Sequence, residues 1–281
     1  MRFGLYTPCY GDYADPRRMV ELAQAAEQAG WNGVFVSDHL QWLAPAPQPV
    51  ADPWILLAAL ATVTQRIRLG TLVTPLARRR PWKLAREVVT LDHLSAGRMT
   101  LGVGIGGDWI GEYSTFGESA DDRLHGEQLD EGLAVLDGLW SGEPFSFSGA
   151  HYQISETQFL PRPAQQPRIP IWVGGGWPRK RPVERAARWD GIVPFGHDGP
   201  LTPTDIRELA AAIRQEQASD APFDIVCYAT TVSADGIVAD ATIAEVAEAG
   251  VTWWLHGLDM NLDQQASEVI ERVRQGPPRL R

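Results

Sequence analysis

Short, nearly unbroken apolar runs alternate along this chain with stretches whose apolar residues recur every three or four positions. The two periods separate strands buried on both faces from amphipathic helices. Residues 3–6 read as the first strand. A helix follows, with Asp15 as N-cap, Pro16 as its first residue, Gly30 past its end, and Met19, Leu22, Ala26 and Ala29 along its inner face. Further strands are predicted at 33–36, 67–71, 99–103, 169–173, 191–195, 223–228 and 251–255. Helices are predicted at 52–64, from Pro81 with Leu84, Val88 and Leu91 inward, and along Leu129, Leu133, Leu136 and Trp140. Others are predicted from Pro178, over 204–218, around Ile243 and Val246, and over 263–274. Residues 143–159 interrupt the alternation as a small hairpin before a proline-rich connector.

Eight strands alternating strictly with eight helices predict an α/β fold, a (β/α)8 TIM barrel forming a single domain over residues 1–281. An open doubly wound sheet shares this periodicity and is the alternative. No internal repeat, low-complexity tract or second domain interrupts the pattern.

Composition narrows the partners. Hydrophobic residues make up 44% and charged residues 21% of the chain, with a formal net charge of −10. That charge argues against binding nucleic acid or an anionic membrane surface. No apolar run approaches the roughly 18 residues of a membrane span, and Met1-Arg2-Phe3-Gly4 reads as the start of a strand rather than a signal peptide. Two cysteines, Cys9 and Cys227, make no disulfide framework. A cytoplasmic location and a small-molecule substrate are expected.

Ligands of a (β/α)8 barrel bind where the strands end. The residues there include Cys9, Asp38 and His39, Thr71 to Thr74, Gly104 to Gly107, Gly174 to Gly176, His197, Thr230 and His256. Asp38 and His39 follow a buried strand directly and form a candidate acid–base pair, against the plainer reading of a capping acid and a loop imidazole. The histidines lack metal-ligand spacing, so no metal is expected, and Asp92-His93 inside a helix reads as structural. The stretch Gly102-Val103-Gly104-Ile105-Gly106-Gly107 matches a dinucleotide fingerprint formally but opens no helix; its glycines, Gly104 and Gly106 among them, let a ring approach backbone. Gly174, Gly175 and Gly176, followed by Pro178 and by Arg179, Lys180 and Arg181, predict exposed amides at a helix start and hence a phosphate site. Arg78, Arg79 and Arg80 form a second cluster, read either as a holder of an acidic tail or as a charged loop. Trp42, Trp54, Trp82, Trp109 and Trp177 fall in or near these loops, where some would wall an apolar pocket.

Three segments carry a resemblance: "AEQAGWNGVFVSDH", "LGTLVTPLARRRPWKLAREVVTLDHLSAGRMTLGVGIGG" over residues 69–107, and "IPIWVGGGWPRKRPVERAARWDGIVP". Together they resemble the luciferase-like flavin- or F420-dependent oxidoreductases, whose fold is a (β/α)8 barrel. The resemblance implies a reduced cofactor across the barrel mouth, contacted by Asp38, with His39 placed for proton transfer. Thr71, Leu72 and Val73 would form the bulge behind the ring, with a cis peptide at Leu72–Val73. Gly174 to Gly176, with Arg179 beside them, would receive the cofactor phosphate. FMN-using relatives often place an arginine after the fourth strand, where this chain has Gly104 to Gly107, so coenzyme F420 is favoured and FMN is the alternative. F420-dependent sugar-phosphate dehydrogenases carry an acid where this chain has Gly107, so their substrate does not carry over.

The expected activity is hydride transfer to or from a small organic substrate with F420, the alternative being an FMNH2-dependent monooxygenase using molecular oxygen. A metal-dependent hydrolase barrel and a non-catalytic cofactor carrier are the competing classes. A homodimer is expected only because some members of the resembled family associate.

Overall fold

The computed structural model describes residues 1–43, 46–196, 199–218, 221–229, 240–258 and 266–278. Along the chain these form β1 (Arg2–Thr7), α1 (Pro16–Ala29), β2 (Gly33–Val36), α2 (Pro53–Val63), β3 (Arg68–Thr71), β4 (Thr74–Pro75), α3 (Pro81–Leu94) and β5 (Met99–Gly104). There follow α4 (Asp122–Trp140), the hairpin β6 (Phe145–Ser148) and β7 (Gln153–Thr157), β8 (Ile171–Trp177), α5 (Lys180–Ala186) and β9 (Gly191–Gly196). The chain ends with α6 (Pro203–Glu216), β10 (Asp224–Ala229), α7 (Asp240–Ala249), β11 (Trp253–Gly257) and α8 (Ala266–Val273).

The ring closes. β1 pairs in parallel with β2 on one side and β11 on the other, and β3 pairs with β5 to complete the circle. β3 and β4 are two halves of one barrel strand, giving eight staves, and the open-sheet alternative is ruled out. No helix among the described residues is long and apolar enough to cross a membrane.

Helix starts follow the sequence closely. Asp15 accepts the amide of Arg17, Asp52 those of Trp54 and Ile55, and Gly30 closes α1 at φ 90°. One start differs from its prediction. β8 continues through Gly174, Gly175 and Gly176 because β9 offers a partner for each, the pairs running Gly174↔Val193 to Trp177↔Gly196. The Trp177–Pro178 peptide is cis, and α5 begins only at Lys180. The glycine triplet is therefore strand, and no helix N-terminus points from it.

Between β3 and β4 the three residues Thr71, Leu72 and Val73 stand opposite two, Leu101 and Gly102. This is a one-residue bulge, and the Leu72–Val73 peptide inside it is cis, where it was expected. The Thr71 hydroxyl donates to the Gly102 carbonyl at 2.8 Å. A Cβ on Gly102 would lie 2.1 Å from the Thr71 carbonyl oxygen, so only glycine admits the bulge there.

Below the bulge the barrel is filled by Phe35, Trp172 and Trp253, all essentially inaccessible to solvent. Their ring centroids lie 4.8 to 5.6 Å apart in tilted and edge-on contacts. Missing side chains on the same and neighbouring strands make this room: a Cβ on Gly33 would meet Phe35 at 2.6 Å, and one on Gly191 would meet Trp172 at 2.6 Å. At Gly70 it would meet the Thr100 carbonyl oxygen at 2.4 Å and Phe35 at 3.0 Å. Gly70→Ala is therefore expected to destabilise the fold by about 1–3 kcal/mol through overpacking. Urea denaturation measures this, and an unchanged midpoint would show that the interior has slack.

Candidate active site

Three loops converge above the strand ends. β2 delivers Asp38 and His39, the 3-10 turn after β4 delivers Arg78 and Arg79, and the loop from β5 to α4 delivers Glu112. The Asp38 side chain is 1% exposed, and those of Arg78 and Glu112 are 4% exposed each. Carboxylates and guanidiniums this deep must pair. Arg79 donates to both carboxylate oxygens of Asp38, at 2.8 and 3.0 Å. Arg78 donates to the Asp38 carbonyl at 2.8 Å and, with its other terminal nitrogen, to Glu112 Oε1 at 2.6 Å. Glu112 also accepts the Leu40 amide at 2.7 Å and faces His39 Nδ1 across 3.1 Å from Oε2.

This geometry sets the orientation of His39. Burial would raise the Glu112 carboxyl, but the His39 hydrogen bond, the charges of Arg78 and His39, and the Leu40 amide together hold it below its ordinary value. Glu112 is thus a carboxylate and can only accept, so the imidazole donates from Nδ1, and Nε2 has no hydrogen-bond partner among the described residues. Tyr10, Trp42 and Trp109 present ring edges or faces to the imidazole at centroid distances of 5.8, 5.1 and 6.1 Å. Tyr10 and Trp42 themselves stack at 3.9 Å.

Of the residues predicted from sequence, His39 sits at this rim as expected. Asp38 does not reach the imidazole; its carboxylate is occupied by the two arginines, and Glu112 holds His39 instead. Arg78 and Arg79 correspondingly serve buried acids rather than an acidic ligand tail. Glu112 was missed, because no periodicity reaches the loop it occupies; the only cue is an acid set between Ile110 and Tyr113, both buried here.

Inside the mouth, Val73 forms the floor between two glycines. A Cβ on Gly104 would lie 2.8 Å from Val73 Cγ2, and one on Gly174 would lie 3.4 Å from Val73 Cγ1 and 3.2 Å from Phe195. Tyr6 and Tyr228 stand beside this floor with centroids 5.2 Å apart. Burial first, and then the neighbouring Tyr228, pushes the Tyr6 phenol far above its usual range, so it stays protonated. Gly176 faces the same way as Gly174, and among the described residues the nearest side chain to a built Cβ is Arg179, at 3.6 Å. Gly175 faces outward, where a Cβ would strike Pro182 of α5 at 2.4 Å. Gly106 is required by its φ of 72° and by crowding from Pro75 and the Tyr113 hydroxyl. Burial pushes the Cys9 thiol up to about 11, which leaves it unreactive at neutral pH. His256 points away from the mouth, beside Trp31. Asp92 and His93 brace the connector, Asp92 accepting from Gln165 and His93 lying 2.7 Å from the Arg162 carbonyl oxygen. His197 and Thr230 lie outside the described residues.

A family model described as luciferase-like monooxygenase matches residues 1–276. The chain belongs to the luciferase-like monooxygenase family. Within this luciferase-like family it is similar to an uncharacterized protein of Mycobacterium tuberculosis, 31% identical over 252 residues that cover 83% of this chain and 82% of the relative. It is 36% identical over 204 residues to the F420-dependent hydroxymycolic acid dehydrogenase of the same organism, covering 72% of this chain and 54% of that protein. The F420-dependent glucose-6-phosphate dehydrogenase of Microbacterium testaceum is 33% identical over 166 residues, 58% of this chain and 48% of the enzyme. The match thus spans about half the length of each of these two dehydrogenases. Among solved structures, an F420-dependent secondary alcohol dehydrogenase in complex with an F420-acetone adduct superposes with a TM-score of 0.80 at 17% identity, covering 100% of this chain and 99% of that one. A monooxygenase from Streptomyces bottropensis gives 0.77 at 21% identity, covering 98% and 97%. These superpositions establish the shared barrel, and the chain is a luciferase-like oxidoreductase.

The rim network of this luciferase-like barrel has a measurable acid signature. Glu112, ordinarily near 4.5, is held lower in the folded state. Its contribution to stability is therefore complete above that value and is lost as pH falls through the depressed one. Glu112→Gln is expected to flatten this part of the acid slope. At neutral pH it should also cost roughly 3 kcal/mol, because Arg78 loses a buried partner. Urea midpoints measured against pH test both, and parallel curves for the two proteins would contradict the assignment.

Proposed function

We propose that this luciferase-like oxidoreductase uses coenzyme F420 for hydride transfer to or from a small organic substrate. The observation that carries the reading is the His39–Glu112 dyad, an imidazole oriented from behind by a carboxylate, with Nε2 unpartnered among the described residues at the barrel rim. The relatives named as F420-dependent dehydrogenases support it, as does the absence of an arginine after β5, where the resemblance would place one for FMN.

The residues present suit the cofactor. Val73 forms a floor flanked by Gly104 and Gly174, which project no side chain, and a flat ring would rest on it. Gly176 and Arg179 would hold the phosphate; Arg179 is exposed and has no ion pair among the described residues. Bound F420 supplies or takes a hydride at its C5 carbon.

In the oxidising direction His39 Nε2 takes the hydroxyl proton of an alcohol substrate, and in the reducing direction it returns that proton to the carbonyl oxygen. Glu112 fixes the tautomer and stabilises the imidazolium while it exists. Asp38 acts at one remove, holding Arg78 and Arg79 so that Arg78 in turn holds Glu112. Tyr10, Trp42 and Trp109 pack around the imidazole, and the neutral Tyr6 phenol provides a donor beside the floor.

Titration of the purified protein with F420 and with FMN, followed by tryptophan fluorescence, tests the cofactor. Micromolar F420 binding is expected, and FMN binding with none of F420 would instead make the chain an FMN-dependent monooxygenase. With simple secondary alcohols as probes, His39→Ala is expected to lower the rate of F420 reduction by about 10²–10⁴-fold while F420 affinity stays within a few-fold. Unchanged turnover in that variant would remove His39 from the chemistry.

A further inference from the structure

Leu40, Leu43, Trp109 and Phe116 are all exposed, and all belong to the two loops that deliver His39 and Glu112. Another exposed aromatic, Phe195, ends β9 beside the floor, 3.2 Å from a Cβ built on Gly174. Single exposed apolar residues are ordinary on any protein, whereas a group of them around one opening marks a contact surface. Gln41 holds the two loops together, its side-chain nitrogen donating to the carbonyls of Ile110 at 2.7 Å and Gly111 at 3.1 Å. Across this tie Trp42 and Trp109 meet edge to face at 5.1 Å, and Trp109 stands 6.1 Å from the His39 ring. Trp109 is nevertheless 66% exposed, so most of its surface is open to a ligand that approaches the imidazole.

The charges of these loops are already committed. Residues 37–43 and 105–117 contain no lysine or arginine. Their acids are Asp38, paired with Arg79, Glu112, paired with Arg78, and Asp108, which accepts the amides of Tyr113 and Ser114 at 2.8 and 3.1 Å. A phosphate or carboxylate carried past these loops to His39 would lose water without gaining a cation from them. An apolar body would cover hydrophobic surface instead.

Gly107 makes room for the indole. A Cβ there would lie 3.0 Å from Trp109 Cδ1 and 3.4 Å from Nε1, tighter than side chains ordinarily pack. A longer side chain at this position would push the ring from its place beside Trp42.

We infer that the substrate is an uncharged alcohol, or the carbonyl compound it becomes, whose apolar body lies against Trp109, with Gly107 and Trp109 setting that selectivity. The inference rests on the proposed role of His39 and adds the chemical class of what reaches it.

Saturation-transfer NMR with a homologous series of straight-chain methyl ketones, using the full chain alone and with F420 added, tests it. Affinity is expected to rise about two- to fourfold with each added methylene. Carboxylates of matching length should bind at least about tenfold more weakly. Trp109→Ala, at an exposed position, and Gly107→Glu should each flatten the series, with urea midpoints confirming that both variants are folded. Leu160→Ala, an exposed apolar position outside these loops, should leave it unchanged. A flat series in the wild-type protein, a slope that survives Trp109→Ala, or preference for the carboxylates would overturn the assignment. A dimer in light scattering that Trp109→Ala dissociates would also overturn it, by making the apolar surface an interface between copies of this chain. The expected series without any F420-linked turnover would support the apolar substrate site while removing the F420 reading, so the two fail separately.

Discussion

Two carboxylates and two guanidiniums are withdrawn from water at the rim of this barrel, and each is tolerable only because the others are there. Asp38, Arg78, Arg79 and Glu112 balance to zero net charge, and they come from three different loops. Loops are ordinarily the least ordered part of a barrel. Here the penalty for leaving any one of these charges unpaired couples the positions of the three loops. His39 inherits that rigidity through its hydrogen bond to Glu112. An imidazole placed this way keeps its orientation at the rim.

Much of the architecture was legible from periodicity and punctuation. Asp15, Asp52 and Gly30 cap helices because their side chains or backbone freedom meet the open ends of the turn, and those needs are local. The bulge at Leu72–Val73 was located through resemblance. What failed depends on neighbours distant in sequence. Gly174 to Gly176 look like a loop in one dimension and are strand because β9 lies alongside. Asp38 looked free for a ligand, and it is claimed by arginines some 40 residues away. Glu112 reaches His39 across a separation of 73 residues. Charge pairing between loops leaves no spacing rule, so the sequence could identify the imidazole without identifying what holds it.

The interior obeys a complementary rule. Gly33, Gly70 and Gly191 yield the volume that Phe35, Trp172 and Trp253 occupy, so large and small residues sit side by side on the same or neighbouring strands. The same division recurs higher up, where Gly104 and Gly174 flank Val73 and keep the floor of the mouth flat. One set of absent side chains serves packing and the other serves access, and nothing in the residue type alone separates them.

The aromatic plug also governs traffic. With Phe35, Trp172 and Trp253 sealing the lower end, the barrel is a blind well, and whatever enters must leave by the way it came. Two ligands sharing such a well cannot exchange independently: the deeper one arrives first and departs last, and a kinetic order is written into the shape of the vessel.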